Sequence, residues 1–467
     1  MDFCRLSFWL ALLAALPVLL LLNVLLRRRE TWLRVVHKGF MLVLSLLLLG
    51  MVSWQTLLIF CGVMLTAYAA CWVGVRLSLR GRKGLLAALV PLLLLPLAYY
   101  KYAYFFGVTV LHQPWDTLRD LVIPVGISFY SFQILGFCID TLLRGLPLPK
   151  LLDYMNFCAF FPQIVAGPIE RREALLPQLQ QLDLRLKGEN LDAGLRYVLL
   201  GLFFKMALAD NLAAAYVPHY GGGSALHLWV NTLVFTFRIY FDFAGYALSA
   251  YGMARCFGVT LQMNFWAPYL STDMGDLWRR WNATLLQWFR DYVYFPLGGS
   301  RTRLWALNIM AVFLISGIWH GAGWNYLLWG AYLGAIIVGV RLFRKAGLHL
   351  PAPVGCGLTF LAMVGSFLIF TDTDMGLLQQ HLRLLATPAA YSPAAFAHEL
   401  ADMKTAGAMV APFLLLSFLM LAVEFVSLKR KNHPYALFTG TAACGVMAAL
   451  IVLLVPAEMS SFIYFAF

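Results

Sequence analysis

The chain has 467 residues, 61% of them hydrophobic and 12% charged, with a mean hydropathy of +0.76. Soluble domains carry about twice that share of charge, so too little polar surface remains to coat a water-soluble fold of this size, and a 15% aromatic content excludes intrinsic disorder. Lys and Arg outnumber Asp and Glu by 35 to 22, but they cluster at the ends of apolar runs, which argues for orientation in a membrane and against nucleic-acid binding.

The pattern predicts an all-α polytopic membrane protein of about 11–12 transmembrane helices with re-entrant and interfacial helices, since each crossing takes about 20 apolar residues. The first run, Phe8 to Leu26, lacks a basic leader and is followed by Arg27, Arg28 and Arg29, so it reads as a retained span. Phe40 to Leu77 is too long for one crossing and divides near Ser53 to Gln55. Further spans are expected at Leu85 to Val108, Leu121 to Leu143, Leu195 to Val217, Leu228 to Met253, Leu304 to Ile318, Tyr326 to Val340, Leu358 to Phe370, Val410 to Val426 and Ala442 to Val455. Arg27 to Lys38 and Arg76 to Lys83 fall on one cytoplasmic side by the positive-inside rule, which places the N-terminus outside, and alternating the expected spans places the C-terminus outside as well. One integral-membrane domain is expected, with N-terminal spans in 8–150, a core in 151–345 and C-terminal spans in 346–467, and no appended soluble domain. The eight Cys show no C-x-x-C pair and read as small buried hydrophobes.

Three segments break the regular count, and irregular backbone at membrane depth is tolerated only where protein or a watery cavity satisfies it. Tyr154 to Pro168 is apolar but interrupted by Pro162 and Gly167, as in a re-entrant segment; Asn264 to Arg303 is rich in Trp and charge; Asp372 to Ala408 reads as a long outer loop. Glu170 to Asn190, with Leu at 175, 176, 179, 182, 184 and 186, reads as an amphipathic surface helix.

Chemistry concentrates in the second of these segments and just beyond it. Asp276 to Asp291 read as one helix sets Trp278, Asn282 and Leu285 or Leu286 along one face, with Arg279, Gln287 and Arg290 elsewhere; ionisable groups at membrane depth usually mark a site. His320 stands among Gly317, Gly321 and Gly323 between Trp319 and Trp324, where small residues let a backbone or a substrate come close. The bland alternatives are an interfacial belt of aromatics and arginines and a satisfied core histidine. No two of the nine His lie three or four residues apart, so no helical metal site is predicted, and Asp372 with Asp374 imitates a metal-holding acid pair only superficially. Neither a phosphate-binding G-x-x-x-x-G-K-[ST] nor a G-x-S-x-G is present.

Taken in order, Tyr99 to Phe106, Ile123 to Gln133, Phe160 to Ile169 with Gln163, Tyr240 to Tyr246, Trp278 to Gly299, Trp319-His320-Gly321 and Phe462 to Phe467 resemble the membrane-bound O-acyltransferase family, in particular its bacterial branch of alginate O-acetyltransferases and teichoic-acid D-alanyl transfer proteins. The resemblance implies a ring of tilted helices around a thinned membrane centre, in a bacterial cytoplasmic (inner) membrane. A cytoplasmic acyl thioester such as acetyl-CoA would there meet an extracytoplasmic polysaccharide acceptor, with no tightly bound cofactor and with a separate extracytoplasmic acyltransferase as partner. It implies that His320 is catalytic and that Asn282 occupies the second motif position, where the polysaccharide-acetylating branch usually carries His and branches acylating proteins or lipids carry Asn. Asn is no base, but it can orient the acyl group or donate to an oxyanion. Arg279, Arg280 and Arg290 are expected to hold donor phosphates, with Trp278, Trp281, Asp291, Trp319, Trp324 and Gln163 also bordering substrate. Other acceptors remain open, namely a protein, a lipid, teichoic acid or peptidoglycan. The rival from another class is a transporter of lipid-linked sugar or small solute, against which the absence of repeats counts.

Overall fold

A computed structural model describes residues 3–113, 115–119, 121–215, 224–402, 404–456, 460 and 462–463. The expected ending Phe462 to Phe467 therefore lies largely outside the described residues, as does His219. The described residues contain helices, turns and no strand. They form two compact units, one from Met1–Gly201 and Tyr246–Met263, the other from Leu202–Gly245 and Asn264–Ile463.

In the first unit α1 (Leu6–Leu25), α2 (Glu30–Val52), α3 (Trp54–Gly74) and α4 (Leu79–Leu97) are long and apolar enough to cross a bilayer. The break expected near Ser53 is there: extended backbone at Ser53 ends α2, and its Oγ accepts from Thr56 N at 3.2 Å to cap α3. α2 starts ten residues earlier than the apolar run, carrying Arg34 and Lys38 inside the helix. Pro91 and Pro96 remove donors from α4, and the chain beyond widens into π-helical turns at Ala98–Tyr102 and Phe105–Val110. The span expected from Leu121 is shorter, with α5 at Ile127–Leu142. Gly126 at φ +78° precedes it, and a Cβ there would meet Ile164 O at 2.7 Å, so the entry to α5 is fixed by a residue that only glycine suits.

Tyr154 to Pro168 is broken as expected, into α6 (Leu151–Ala159) followed by buried turns. Glu170 to Asn190 is only half the predicted helix: α7 (Arg172–Gln180) ends before Leu182 and Leu184, which alternate with more exposed Gln181, Asp183 and Arg185 in extended chain. His37 pins that chain, accepting from Leu184 N at 3.1 Å through Nδ1 while Nε2 meets Asn23 Oδ1 at 2.8 Å. α8 (Gly188–Leu202) continues through π-helical Phe203–Ala209 into α9 (Asp210–Ala215), and α10 (Ala225–Cys256) follows. Of the eight Cys, all free thiols, four are buried and four half-buried.

The second unit holds α11 (Met274–Arg280), α12 (Ala283–Phe289), α13 (Trp305–His320), α14 (Trp324–Lys345) and α15 (Ala352–Thr371). The outer loop expected at Asp372 to Ala408 is instead helical, as α16 (Met375–Ala386) and α17 (Pro393–Asp402), before α18 (Lys404–Lys431) and α19 (Thr441–Leu454). Asp374 caps α16, its side chain accepting from Gly376 N at 2.7 Å, and Asp372 meets His381 Nδ1 at 2.7 Å. Both acids of the D-T-D string thus hold the helix they precede. Among the described residues eight helices qualify by length and composition to cross a membrane, and three shorter apolar ones accompany them, so the chain is a multi-pass membrane protein.

An ion network lies deep in this unit. Lys205 Nζ sits 2.6 Å from Asp242 Oδ1 and 2.8 Å from Asp210 Oδ1, all three side chains at most 4% exposed. Ser460 Oγ donates to Asp210 at 2.6 Å and Ile463 N to Asp242 Oδ2 at 2.8 Å, which binds the C-terminal segment to the network. Buried charges hold only when paired and hydrogen-bonded in this way.

Candidate active site

The polar block Asp276 to Asp291 does not form the single helix its pattern suggests. Asp273 caps α11, accepting from Asp276 N at 2.9 Å, and the helix stops at Trp281. Asn282 then takes left-handed backbone at φ 44° before α12 begins, a conformation Asn tolerates better than most residues. The N-cap work at this break is done by Asn264. Its carbonyl accepts from Ala283 N at 3.0 Å, and its Oδ1 accepts from Thr284 N at 3.1 Å and Thr284 Oγ1 at 2.8 Å. The Asn282 side chain is thereby released from capping. It is 2% exposed, and neither atom of its amide has a hydrogen-bond partner among the described residues.

Despite the break, Trp278, Asn282, Leu285 and Leu286 do line one surface. With Phe289 and with Val312, Phe313 and Ser316 of α13 they line a narrow cleft with about 10 Å³ of room, on the order of one water molecule. The Trp278 indole N–H, also buried, has no hydrogen-bond partner among the described residues. Native proteins pair nearly all buried polar groups, so an amide and an indole N–H left over on one cleft make it a candidate site for a polar ligand atom.

His320 closes α13 on the same stripe. Phe313, Ser316 and His320 follow at intervals of three and four residues, so the helix face that lines the cleft carries the imidazole one turn further on. The ring is 3% exposed and stands edge-on to Trp319 (4.8 Å between centroids), Trp329 (5.0 Å) and Phe370 (5.7 Å). Trp329 also meets Trp278 at 5.9 Å, so an aromatic wall runs from the cleft to the imidazole.

The glycines around His320 serve packing of protein on protein. A Cβ on Gly317 would lie 2.2 Å from Tyr326 O and one on Gly330 2.3 Å from Phe313 O, so α13 and α14 touch backbone to backbone. Gly321 is covered by the Tyr326 ring and Gly323 by Asn325 Oδ1. The space beside Gly317 is thus filled by the backbone of α14, and that beside Gly321 and Gly323 by side chains of its first turn.

The remaining residues singled out from the sequence are placed as follows. Arg279 and Arg280 both pair with Asp276, at 3.4 and 3.0 Å, and Arg290 pairs with Asp291 at 2.8 Å. Arg279 and Arg290 remain 64% and 51% exposed, with N–H groups to spare. Trp281 points into an aromatic core against Phe265, Tyr240, Tyr269 and Phe367, not into the cleft. Trp319 flanks the imidazole, whereas Trp324, 48% exposed, opens α14. Gln163 belongs to the first unit, where its Nε2 donates to Phe157 O at 3.0 Å. Sequence reasoning missed Trp329 and Phe370, which sit inside ordinary apolar runs, and Ser316, whose position one turn before His320 was the available signal.

The sequence profile of the membrane-bound O-acyltransferase family matches residues 6–346, a stretch that includes the α11–α12 break and His320. The chain belongs to the membrane-bound O-acyltransferase family. Among curated relatives of this chain, a peptidoglycan O-acetyltransferase of Helicobacter pylori is 33% identical over 287 residues, 54% of this chain and 54% of the relative. A probable alginate O-acetylase of Pseudomonas aeruginosa is 32% identical over 340 residues, 68% of this chain and 64% of the relative. A teichoic acid D-alanyltransferase of Streptococcus thermophilus is 29% identical over 288 residues, covering 54% and 69%. The chain thus spans between about half and two thirds of the length of the first two relatives.

Proposed function

We propose that this chain transfers an acyl group from a cytoplasmic thioester donor to hydroxyl groups of an extracytoplasmic polysaccharide, directly or through a separate extracytoplasmic partner protein. The observation that carries the reading is the unpartnered Asn282 amide on the cleft whose α13 face ends in His320. In the reaction, His320 accepts the proton of the acceptor hydroxyl as its oxygen attacks the thioester carbonyl. Asn282 Nδ2, helped by the Trp278 N–H, donates to the oxyanion that develops. Collapse breaks the C–S bond, the thiolate takes the proton from the imidazolium, and an ester and a free thiol result. The donor is a substrate, acetyl-CoA or another acyl thioester, and Arg279 and Arg290 are the groups with exposed guanidinium to meet its phosphates, Arg280 being more enclosed.

The acyl group is acetyl in this reading, as the names of the peptidoglycan and alginate relatives suggest, with D-alanyl the alternative that the teichoic-acid relative keeps in view. The protein works in a bacterial cytoplasmic membrane with both termini outside, the basic clusters before α2 and after α3 favouring that side for the N-terminus and alternation of about twelve spans returning the C-terminus to it. The test is the ester-linked acyl content of purified surface glycans, by mass spectrometry, in cells with wild-type protein, His320→Ala or no protein at matched expression. Loss of the same ester in His320→Ala and the null strain is expected and names acyl group and glycan together. Full ester levels in His320→Ala refute the proposed base, and an unchanged null strain refutes the acceptor.

A further inference from the structure

Asn264, Phe265 and Trp266 lie in irregular chain between α10 and α11, yet they grip the α11–α12 break before and after Asn282. Trp266 N donates to Arg280 O at 2.9 Å, and the Phe265 ring stands edge-on to Trp281 at 5.1 Å. Beyond the break, Asn264 O accepts from Ala283 N at 3.0 Å, and Asn264 Oδ1 accepts from Thr284 N at 3.1 Å and Thr284 Oγ1 at 2.8 Å. These contacts take in Arg280, Trp281, Ala283 and Thr284 and pass over Asn282, whose amide has no hydrogen-bond partner among the described residues. The grip is itself anchored: Tyr435 Oη donates to Phe265 O at 3.2 Å and the Trp266 ring meets His433 at 4.7 Å, so the turns after α18 fix the segment in place.

Left-handed backbone at a residue other than glycine persists only where its surroundings over-determine it, and such residues cluster at functional sites. Asn282, at φ 44°, is held in that way, by neighbours that are fixed while its own side chain is spared. Asn264 and Thr284 are 2% and 1% exposed, so removing one partner of their contact leaves a buried donor or acceptor that water does not repair. We infer that Asn264 is a positioning residue of the transfer reaction: through Ala283 and Thr284 it sets where the Asn282 amide meets the oxyanion, without touching substrate itself. The inference rests on the role proposed above for Asn282. Of the Asn264 amide only the oxygen is engaged, Nδ2 having no hydrogen-bond partner among the described residues, so Asp retains every hydrogen bond the side chain makes, and Asn and Asp cap helices about equally well.

The full chain in detergent is assayed for acyl transfer from acetyl-CoA to a soluble glycan fragment, with thermal unfolding followed in parallel by tryptophan fluorescence. A 1 Å misplacement is worth about 10²-fold in rate, so Asn264→Ala is expected to lower kcat at least about tenfold. KM for the thioester is expected to stay within about twofold of wild type, since ground-state binding is unaltered. Asn264→Asp is expected to recover kcat to within about threefold of wild type. Introduced into Asn282→Gly, Asn264→Ala is expected to lower kcat no further, because the amide through which it acts is already gone. Thr284→Val loses only the hydroxyl contact; it is expected to show a severalfold fall with the same dependence on Asn282, and it decides the matter where Asn264→Ala does not fold. With Asn282→Gly impaired, the inference is overturned by wild-type kcat in Thr284→Val or in folded Asn264→Ala, by no recovery in folded Asn264→Asp, or by an undiminished further loss in the Asn282→Gly background. An unimpaired Asn282→Gly refutes instead the role of Asn282 on which the inference rests.

Discussion

Replacing Asn282 with Gly separates a catalytic amide from a structural one. If the side chain held the break between α11 and α12, its loss would cost about 1–3 kcal/mol in hydrogen bonding. The structure gives those bonds to Asn264, leaves both Asn282 amide atoms without partners, and holds the backbone at φ 44°, which glycine adopts freely. Removing a buried polar group that lacks partners relieves a desolvation penalty of about 1–3 kcal/mol, offset in part by lost packing. Stability is therefore expected within about 1 kcal/mol of wild type, or above it. Catalysis is expected to respond in the opposite sense, because loss of one oxyanion donor lowers turnover by about 10²–10³, or roughly 3–4 kcal/mol of barrier. The assays are tryptophan-fluorescence thermal unfolding in detergent and acyl transfer from the thioester to a soluble glycan fragment. A Gly variant that unfolds many degrees early refutes the structural half of this reasoning, and one that keeps more than a third of wild-type turnover refutes the catalytic half.

Four further outcomes follow from the geometry. Gly317→Leu drives a side chain into Tyr326 O and is expected to abolish assembly of the α13–α14 pair, read as loss of folded protein on size-exclusion chromatography, whereas Gly62→Ala, with no atom within 4 Å of its Cβ, is expected to be silent. Glu170, in the loop before α7, is buried and accepts from Gln262 N at 2.6 Å; burial raises its pKa to about 7, against which that bond and Arg171 act in the lowering direction. Its folded pKa lies above the ordinary 4.5, so its contribution is complete below about pH 4.5 and is lost as pH rises through 7. Wild type is expected to lose about 3 kcal/mol between pH 5 and 9 that Glu170→Gln does not lose, measured by chemical denaturation. Arg279→Gln with Arg290→Gln is expected to raise KM for a coenzyme A thioester severalfold with kcat little changed, an effect that should shrink at high salt. Asp372→Ala breaks the buried contact to His381 and is expected to lower the unfolding temperature without abolishing turnover, and a chelator is expected to leave wild-type turnover unaltered.

What could be read from the sequence was whatever a single local rule decides. The division at Ser53 rests on a run too long to cross once and on a hydroxyl able to cap, and both features survive in the structure. The placement of α13 and α14 around His320 likewise follows from two apolar runs separated by glycines. The break at Asn282 was illegible because the pattern from Asp276 to Asp291 suits a helix throughout, and the cap that stabilises the break comes from Asn264, a distant residue by helix standards. The same limitation applies to Leu182 and Leu184, where helical and alternating patterns overlap until the His37 contact chooses the extended form. Asp372 to Ala408 was misread for the opposite reason: polarity suggested a loop, although Asp374 was already in place to start a helix.

The buried network of Lys205, Asp210 and Asp242 bears on how the protein is made. Ser460 is synthesised 255 residues after Lys205, and Ile463 follows Asp242 by 221. During synthesis, Lys205, Asp210 and Asp242 are therefore made well before two of the groups that complete their network. Those contacts arrive only when the segment beyond α19 emerges, so a nascent chain halted before Ser460 would leave Asp242 Oδ2 without its backbone donor and Asp210 Oδ1 with Lys205 alone. A chain cut before Ser460 is therefore expected to be less stable than one that carries the segment through Ile463.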